Sequence, residues 1–173
     1  MATGVTLDYE YQDALSRVNQ ASDLMGSPEP MLRDMGEFLL LAHTLRFQKE
    51  IAPDGRKWKA LSPAYKKVKR KNADRILFLD GYLANTMRYQ VDSQGLLFGS
   101  NRPPAKWHHF GTDPYTIKPK DKAALNWPGG PGPRSVVNHP GLPARPIIGT
   151  SEEDDRRLET IAVEHTLAAL RPR

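Results

Sequence analysis

Apolar and polar positions change their period several times along this chain, and each change marks an element. Val5, Leu7, Tyr9 and Tyr11 alternate with Thr6, Asp8 and Glu10, a period of two that predicts a strand with one buried face. From Tyr11 to Met25 the spacing turns helical, with Ala14, Leu15, Val18, Ala21 and Leu24/Met25 on one stripe, and Gly26-Ser27-Pro28 ends the run. A longer helix is predicted from Pro28–Pro30 to near Glu50. Proline is tolerated in a first turn, where its missing N–H would lack an intrahelical partner anyway. Met31, Met35, Phe38, Ala42 and Leu45 then recur at the spacing of a core-facing stripe, and the turn sequence Pro53-Asp54-Gly55 stops the helix.

Trp58 and Leu61 are the apolar anchors of the next stretch. Ser62-Pro63 has the form of an N-cap and first-turn proline opening a short basic helix to about Lys71. Ile76-Leu77-Phe78-Leu79 is apolar, and Asp80 can cap a short helix through Gly81 to Met87. Strand-like runs Arg88–Val91 and Leu96–Ser100 bracket Asp92-Ser93-Gln94-Gly95, a hairpin pattern. Lys106–Phe110 is a further short element. Residues 111–149 are dense in proline and glycine, most of all in Trp127-Pro128-Gly129-Gly130-Pro131-Gly132-Pro133. Little regular structure is expected there, and a loop of this length is expected to protrude and to order against a partner. Ser151 is an N-cap for a last helix whose first turn, Glu152 to Asp155, is acidic as the helix dipole favours; Leu158, Ile161, Ala162, His165 and Ala169 follow at helical spacing. The pattern predicts an α+β fold: a small antiparallel sheet packed with helices, plus a long Pro/Gly-rich extended loop. The expected organisation is one domain over residues 1–173, with 111–149 as its loop or arm.

Composition narrows the chemistry. With 173 residues the chain can bury a core without staples. It has no cysteine, which excludes thiol catalysis, disulfides and cysteine-ligated metal centres. The longest apolar run, Phe38–Ala42, is far too short to cross a bilayer, and the acidic start of the chain lacks the apolar stretch of a secretory signal. No membrane partner and a cytoplasmic location are expected. The net charge of +5 is unevenly spread: residues 1–45 carry −5, 46–75 carry +8, 76–149 carry +4 and 150–173 carry −2. The basic middle would attract nucleic acid, or an acidic protein surface, including that of another copy of this chain.

Candidate catalytic groups are sparse. His43 and His165 fall on predicted helices, where a structural role is expected. His108 and His109 are adjacent, and on a strand they would point to opposite faces and could not share a metal. A nuclease reading would need His108, Asp113 and the basic segment to cooperate around a divalent ion. No phosphate-binding glycine loop, HExxH or GxSxG pattern is present. Trp58, Trp107 and Trp127 could stack on bases or simply fill and edge the core. The expectation is a protein that is not an enzyme and has no cofactor, metal or catalytic residues.

Taken in order, several segments resemble the phage virion-morphogenesis, or tail-completion, proteins of Mu-like and P2-like tailed bacteriophages. Pro53-Asp54-Gly55-Arg56-Lys57-Trp58 is followed by Leu61-Ser62-Pro63 and a lysine-rich helix. Ile76-Leu77 and Asp80-Gly81-Tyr82-Leu83 come next, then the hairpin ending in Phe98-Gly99-Ser100-Asn101. Ala105-Lys106-Trp107-His108-His109-Phe110-Gly111 is similar to a Tyr-Ala…His-Gln-Phe-Gly stretch of that family, and Pro143-Ala144-Arg145-Pro146-Ile147-Ile148-Gly149 to its Ala-Arg-Pro-Phe-Leu-Gly ending. Pro103-Pro104, His109 and Asp80 depart from the family's usual tyrosine, glutamine and threonine. The likeness spans about residues 30–170. It implies a structural virion protein at the head-proximal end of the tail, forming a ring, with a hexamer expected, that completes the tail and helps it join the head. Its implied partners are further copies of itself, neighbouring neck, tail-terminator or tail-tube proteins, and DNA passing through the lumen without sequence specificity. Its implied location is the virion, with assembly in the host cytoplasm. The residues expected to meet other subunits or partners are Arg56, Lys57, Trp58, Lys66, Lys67, Lys69, Arg70, Trp107, Phe110, Trp127 and Arg145. The alternative is a basic nucleic-acid-binding protein acting in phage DNA packaging or regulation.

Overall fold

A computed structural model of the chain describes Asp23 and residues 27–171. The strand expected over Val5–Tyr11 and the helix over Tyr11–Met25 lie outside the described residues, Asp23 apart. The long helix α1 spans Glu29–Lys49, with Pro30 in its first turn and Glu50 in the left-handed region as its C-cap. Its ends agree with expectation, but its buried face does not. The interior side carries Gly36, Leu39, His43, Arg46 and Phe47, whereas Leu41 and Leu45 are exposed, and Met31, Met35, Phe38 and Ala42 are only half-buried. The inward stripe contains a glycine, a histidine and an arginine, so a pattern of apolar residues alone is rotated away from it. Each polar member is satisfied: His43 Nδ1 bonds Leu39 O at 2.7 Å, and Arg46 donates to Gly149 O at 2.6 Å.

Helix α2 spans Pro63–Val68, with Ser62 Oγ accepting from Tyr65 N. It ends short of Lys71 because Lys69 leaves the helix to cap the next loop. The Lys69 ammonium donates to the carbonyls of Asn72 (2.6 Å) and Phe78 (2.9 Å), and also to that of Arg75. The helix expected over Gly81–Met87 shrinks to a 3-10 turn, Ala84–Thr86. Asp80 Oδ1 accepts from Tyr82 N at 3.0 Å, and Gly81 takes a φ of 82°, so the chain turns before an α-helix can start.

Strands β1 (Arg88–Asp92) and β2 (Gly95–Gly99) form an antiparallel hairpin, paired from Arg88↔Gly99 to Asp92↔Gly95. The hairpin lies against α1. Close approach depends on Gly36: a Cβ there would fall 2.5 Å from the Tyr89 ring, whose hydroxyl donates to Glu37 at 2.7 Å. Helix α3 spans Pro103–Phe110, opening on two first-turn prolines. Lys106–Phe110 is therefore the end of a helix and not a strand.

Residues 111–149 also carry more order than expected. Strands β3 (Tyr115–Ile117) and β4 (Val137–His139) pair antiparallel, and bridges Thr112↔Leu142 and Leu125↔Arg134 extend the pairing in both directions. The segment is a ribbon folded back on itself. At its base a Cβ on Gly141 would fall 2.2 Å from Thr112 O, so the two arms can cross only at a glycine. Near its tip Gly129 lies against Val68 of α2. Helix α4, Glu152–Ala169, starts with a capping box in which Ser151 Oγ accepts from Asp154 N and Asp154 accepts from Ser151 N. The described chain is α+β, with two two-stranded antiparallel sheets among its helices.

Phe47, Ala52, Trp58, Ile76, Met87, Ala105 and Ile147 form the core; Phe47 and Trp58 meet edge to face at 5.2 Å. Helices α1 and α4 pack together, and Arg46 bridges them through a buried ion pair with Asp154. Removing one partner of such a pair strands the other charge, at a cost of about 3–5 kcal/mol. Arg46→Met should lower unfolding stability by about that amount in chemical denaturation, whereas Leu45→Ala on the exposed side should change it by less than about 1 kcal/mol. Equal effects of the two substitutions would remove the pair from its central place.

Candidate assembly surface

The segment Pro143–Gly149 is held against the core, with Arg145 and Ile147 buried and hydrogen bonds at several points. Trp58 Nε1 donates to Pro146 O at 2.8 Å. Arg145 donates to the carbonyls of Lys59 (2.8 Å) and Ala60 (3.3 Å), and its own N–H donates to His108 O at 2.7 Å. His109 Nδ1 accepts from both Ile147 N and Ile148 N at 3.3 Å. A ring nitrogen that accepts must be unprotonated, so His109 is neutral with its proton on Nε2. The segment thus ties α1, the Trp58 turn and α3 into one unit.

This geometry moves three of the expected contact residues inward. Trp58 and Arg145 are buried, with their polar groups engaged by this chain's own backbone, and Lys69 is half-buried with its donors taken by the loop that follows. Trp58 therefore belongs to the core, and Arg145 and Lys69 donate to backbone carbonyls of this chain. The remaining eight are at or near the surface. Arg56 pairs with Asp54, Lys57 donates to Lys49 O and Lys66 lies 3.8 Å from Asp74. Lys67 and Arg70 are exposed and have no ion-pair partner among the described residues. Trp107 and Phe110 are exposed on α3, Phe110 at 72%. Spaced i, i+3, they are neighbours on the helix surface. Trp127 lies at the ribbon tip, its ring against Gly130, and the neighbouring Gly129 brings this tip to α2. Helix α3 does not pack on α2, so the aromatic pair and the basic helix are separate patches.

His108 faces the interior, where burial and then the neighbouring Arg145 guanidinium lower its pKa. The charge beside it is a cation and not the Asp113 carboxylate that a nuclease reading needs. Among the described residues no group of three His, Asp or Glu side chains could hold a metal ion, and no helix is long and apolar enough to cross a membrane. Among the described residues this surface offers an aromatic pair and two cations without ion-pair partners, groups suited to docking against another macromolecule.

The model of the phage virion morphogenesis family matches residues 8–166. The chain belongs to that family. It is a structural family, and membership gives the chain a role in phage virion assembly and makes it a virion component. No curated protein and no solved structure matches the chain. Arg145, which the sequence reading counts among the contact residues, lies in the gripped segment and is buried.

Sequence reasoning missed the pairing that holds that segment and α4 to α1, between Arg46 and Asp154; His43, expected to be structural, lies beside Arg46 on the buried face. One signal was available. Arg46 and His43 recur at i, i+3 on the same turn of a helix as the buried Phe47, where solvated residues would break the stripe. Burial pushes the His43 pKa down to about 4, with the Arg46 charge adding to the effect. The unfolded chain binds this proton with a pKa of about 6.5 and the folded chain resists it. Stability should therefore be full above about pH 6.5 and fall as the pH drops toward 4, by on the order of 3 kcal/mol from this group. Burial also lowers His108 and His109, which act in the same direction. Urea denaturation between pH 7 and 4 should show the loss, and His43→Gln should flatten the slope by about one proton; an unchanged slope would exclude His43 as its source.

Proposed function

We propose that the protein is a tail-completion protein of the virion neck. It acts at the head-proximal end of a finished tail, assembles there as a ring, and helps the tail join the filled head. Family membership across residues 8–166 carries this reading. The surface supports it in kind. Trp107 and Phe110 present apolar rings to solvent, as groups destined for a protein interface do, and large aromatics of this sort dominate binding energy when covered. A closed ring needs two different faces on each copy, and acidic ends with a basic middle in the sequence are one way to provide complementary faces. The neighbours in this reading are tail-tube, tail-terminator and neck proteins, and the lumen passes DNA without sequence specificity. A sixfold ring is the expected form, assembled in the host cytoplasm.

Electron microscopy of lysates from a phage lacking this gene should show DNA-filled heads separate from full-length tails, and joined particles should return when the gene is supplied in trans. Trp107→Ala with Phe110→Ala should fold normally yet lower the yield of joined particles at least tenfold. Intact particles without the gene would overturn the proposal, and full rescue by the double variant would remove the aromatic edge from it.

A further inference from the structure

An open groove of about 810 Å³ lies between α1 and α4. Phe38, Leu41 and Ile161 line it with apolar surface, while Asp34, Glu37 and Glu164 add carboxylates. The Arg157 guanidinium, 3.5 Å from Glu164, offsets one of these charges, and His165 bonds Asp34 at 2.7 Å. The groove is therefore apolar, with a net negative character. Leu41 remains 59% exposed in it.

Helix α2 has the complementary chemistry. Its Tyr65 is 46% exposed, next in sequence to Lys66 and Lys67, and Arg70 and Lys71 follow, all exposed. The helix packs against no other helix or strand among the described elements. It is anchored beyond the C-terminal end of α1: Lys69 caps the loop that carries Arg75, and Arg75 in turn donates to Phe47 O and Glu50. The groove lies beside the other half of α1, ten or so residues away, roughly 15 Å along the axis at the rise of an α-helix. Donor and acceptor thus occupy different ends of the same long helix, the arrangement of a head-to-tail contact.

We propose that the groove between α1 and α4 receives helix α2 of a second copy of this chain, with Tyr65 on the apolar floor and Lys66, Lys67 and Arg70 facing Asp34, Glu37 and Glu164. The inference deepens the ring assembly proposed above and rests on that reading. The sequence before α1 carries Asp8, Glu10, Asp13 and Asp23 against Arg17, a charge opposite to that of α2.

The absence of native cysteine allows a direct test on the full-length chain. Leu41→Cys and Tyr65→Cys are made in separate copies, which are mixed and mildly oxidised. Peptide mass spectrometry should then find the 41–65 link, with at least tenfold more cross-linked dimer than in either variant alone. Adding Lys66→Glu, Lys67→Glu and Arg70→Glu to the Tyr65→Cys copy should abolish the link. Adding Asp34→Lys and Glu164→Lys to the Leu41→Cys copy should restore it. A mixture that links no better than its components overturns the docking, including the case in which residues 1–26 or another protein fill the groove. Rescue of joined particles by the wild-type gene, with no such link, would leave the tail-completion reading standing without this interface. Joined particles in the absence of the gene would remove that reading instead.

Discussion

The structure turns on one buried ion pair. Arg46, on the last turns of α1, reaches the carboxylate of Asp154 at the start of α4, and the same carboxylate accepts from the backbone and hydroxyl of Ser151. A second guanidinium nitrogen donates to Gly149 O. One arginine therefore fixes where α4 begins, how it meets α1, and where the segment before it ends. Burying a charge is costly unless it is paired and fully hydrogen-bonded. Arg46 finds its acceptors only when the long helix, the gripped segment and the last helix are all in place.

That constraint explains the division between interior and surface. Arg145 and Ile147 of the segment 143–149 are buried, and Trp58 and His109 satisfy backbone groups beside them. An irregular segment can be buried only on that condition. The surface is left with groups that have no such internal use: the rings of Trp107 and Phe110, and the ammonium and guanidinium groups of Lys67 and Arg70. Family membership places the chain in virion assembly. The partition separates the side chains committed to the fold from those left exposed.

Much of this was legible in the sequence. The limits of α1, the Ser62 cap, the Asp92–Gly95 hairpin and the acidic first turn of α4 follow from local chemistry, and local chemistry forms them. The buried side of α1 was not legible, because its inward positions are filled by Gly36, His43 and Arg46, which periodicity counts as breaks. The ribbon in 111–149 was hidden by its prolines and glycines, which punctuate the pairing without preventing it. Lys69 and Arg145 were placed at the surface for a related reason, and Trp58, expected as an apolar anchor, was also counted among the contact residues. A cation is assigned to the surface, while its actual acceptors here are carbonyl groups that no side-chain pattern displays.

The gripped segment also has a consequence for synthesis. Its contacts join residues far apart in the chain: Arg145 meets Lys59 across 86 positions, and Arg46 meets Gly149 and Asp154 across 103 and 108. Contacts of such long range form late and slow the folding of the chains that depend on them. A ribosome must therefore deliver the chain through Asp154 before Arg46 can be neutralised and the core closed. A nascent or truncated chain has the cations and rings of the surface but not the framework that orients them.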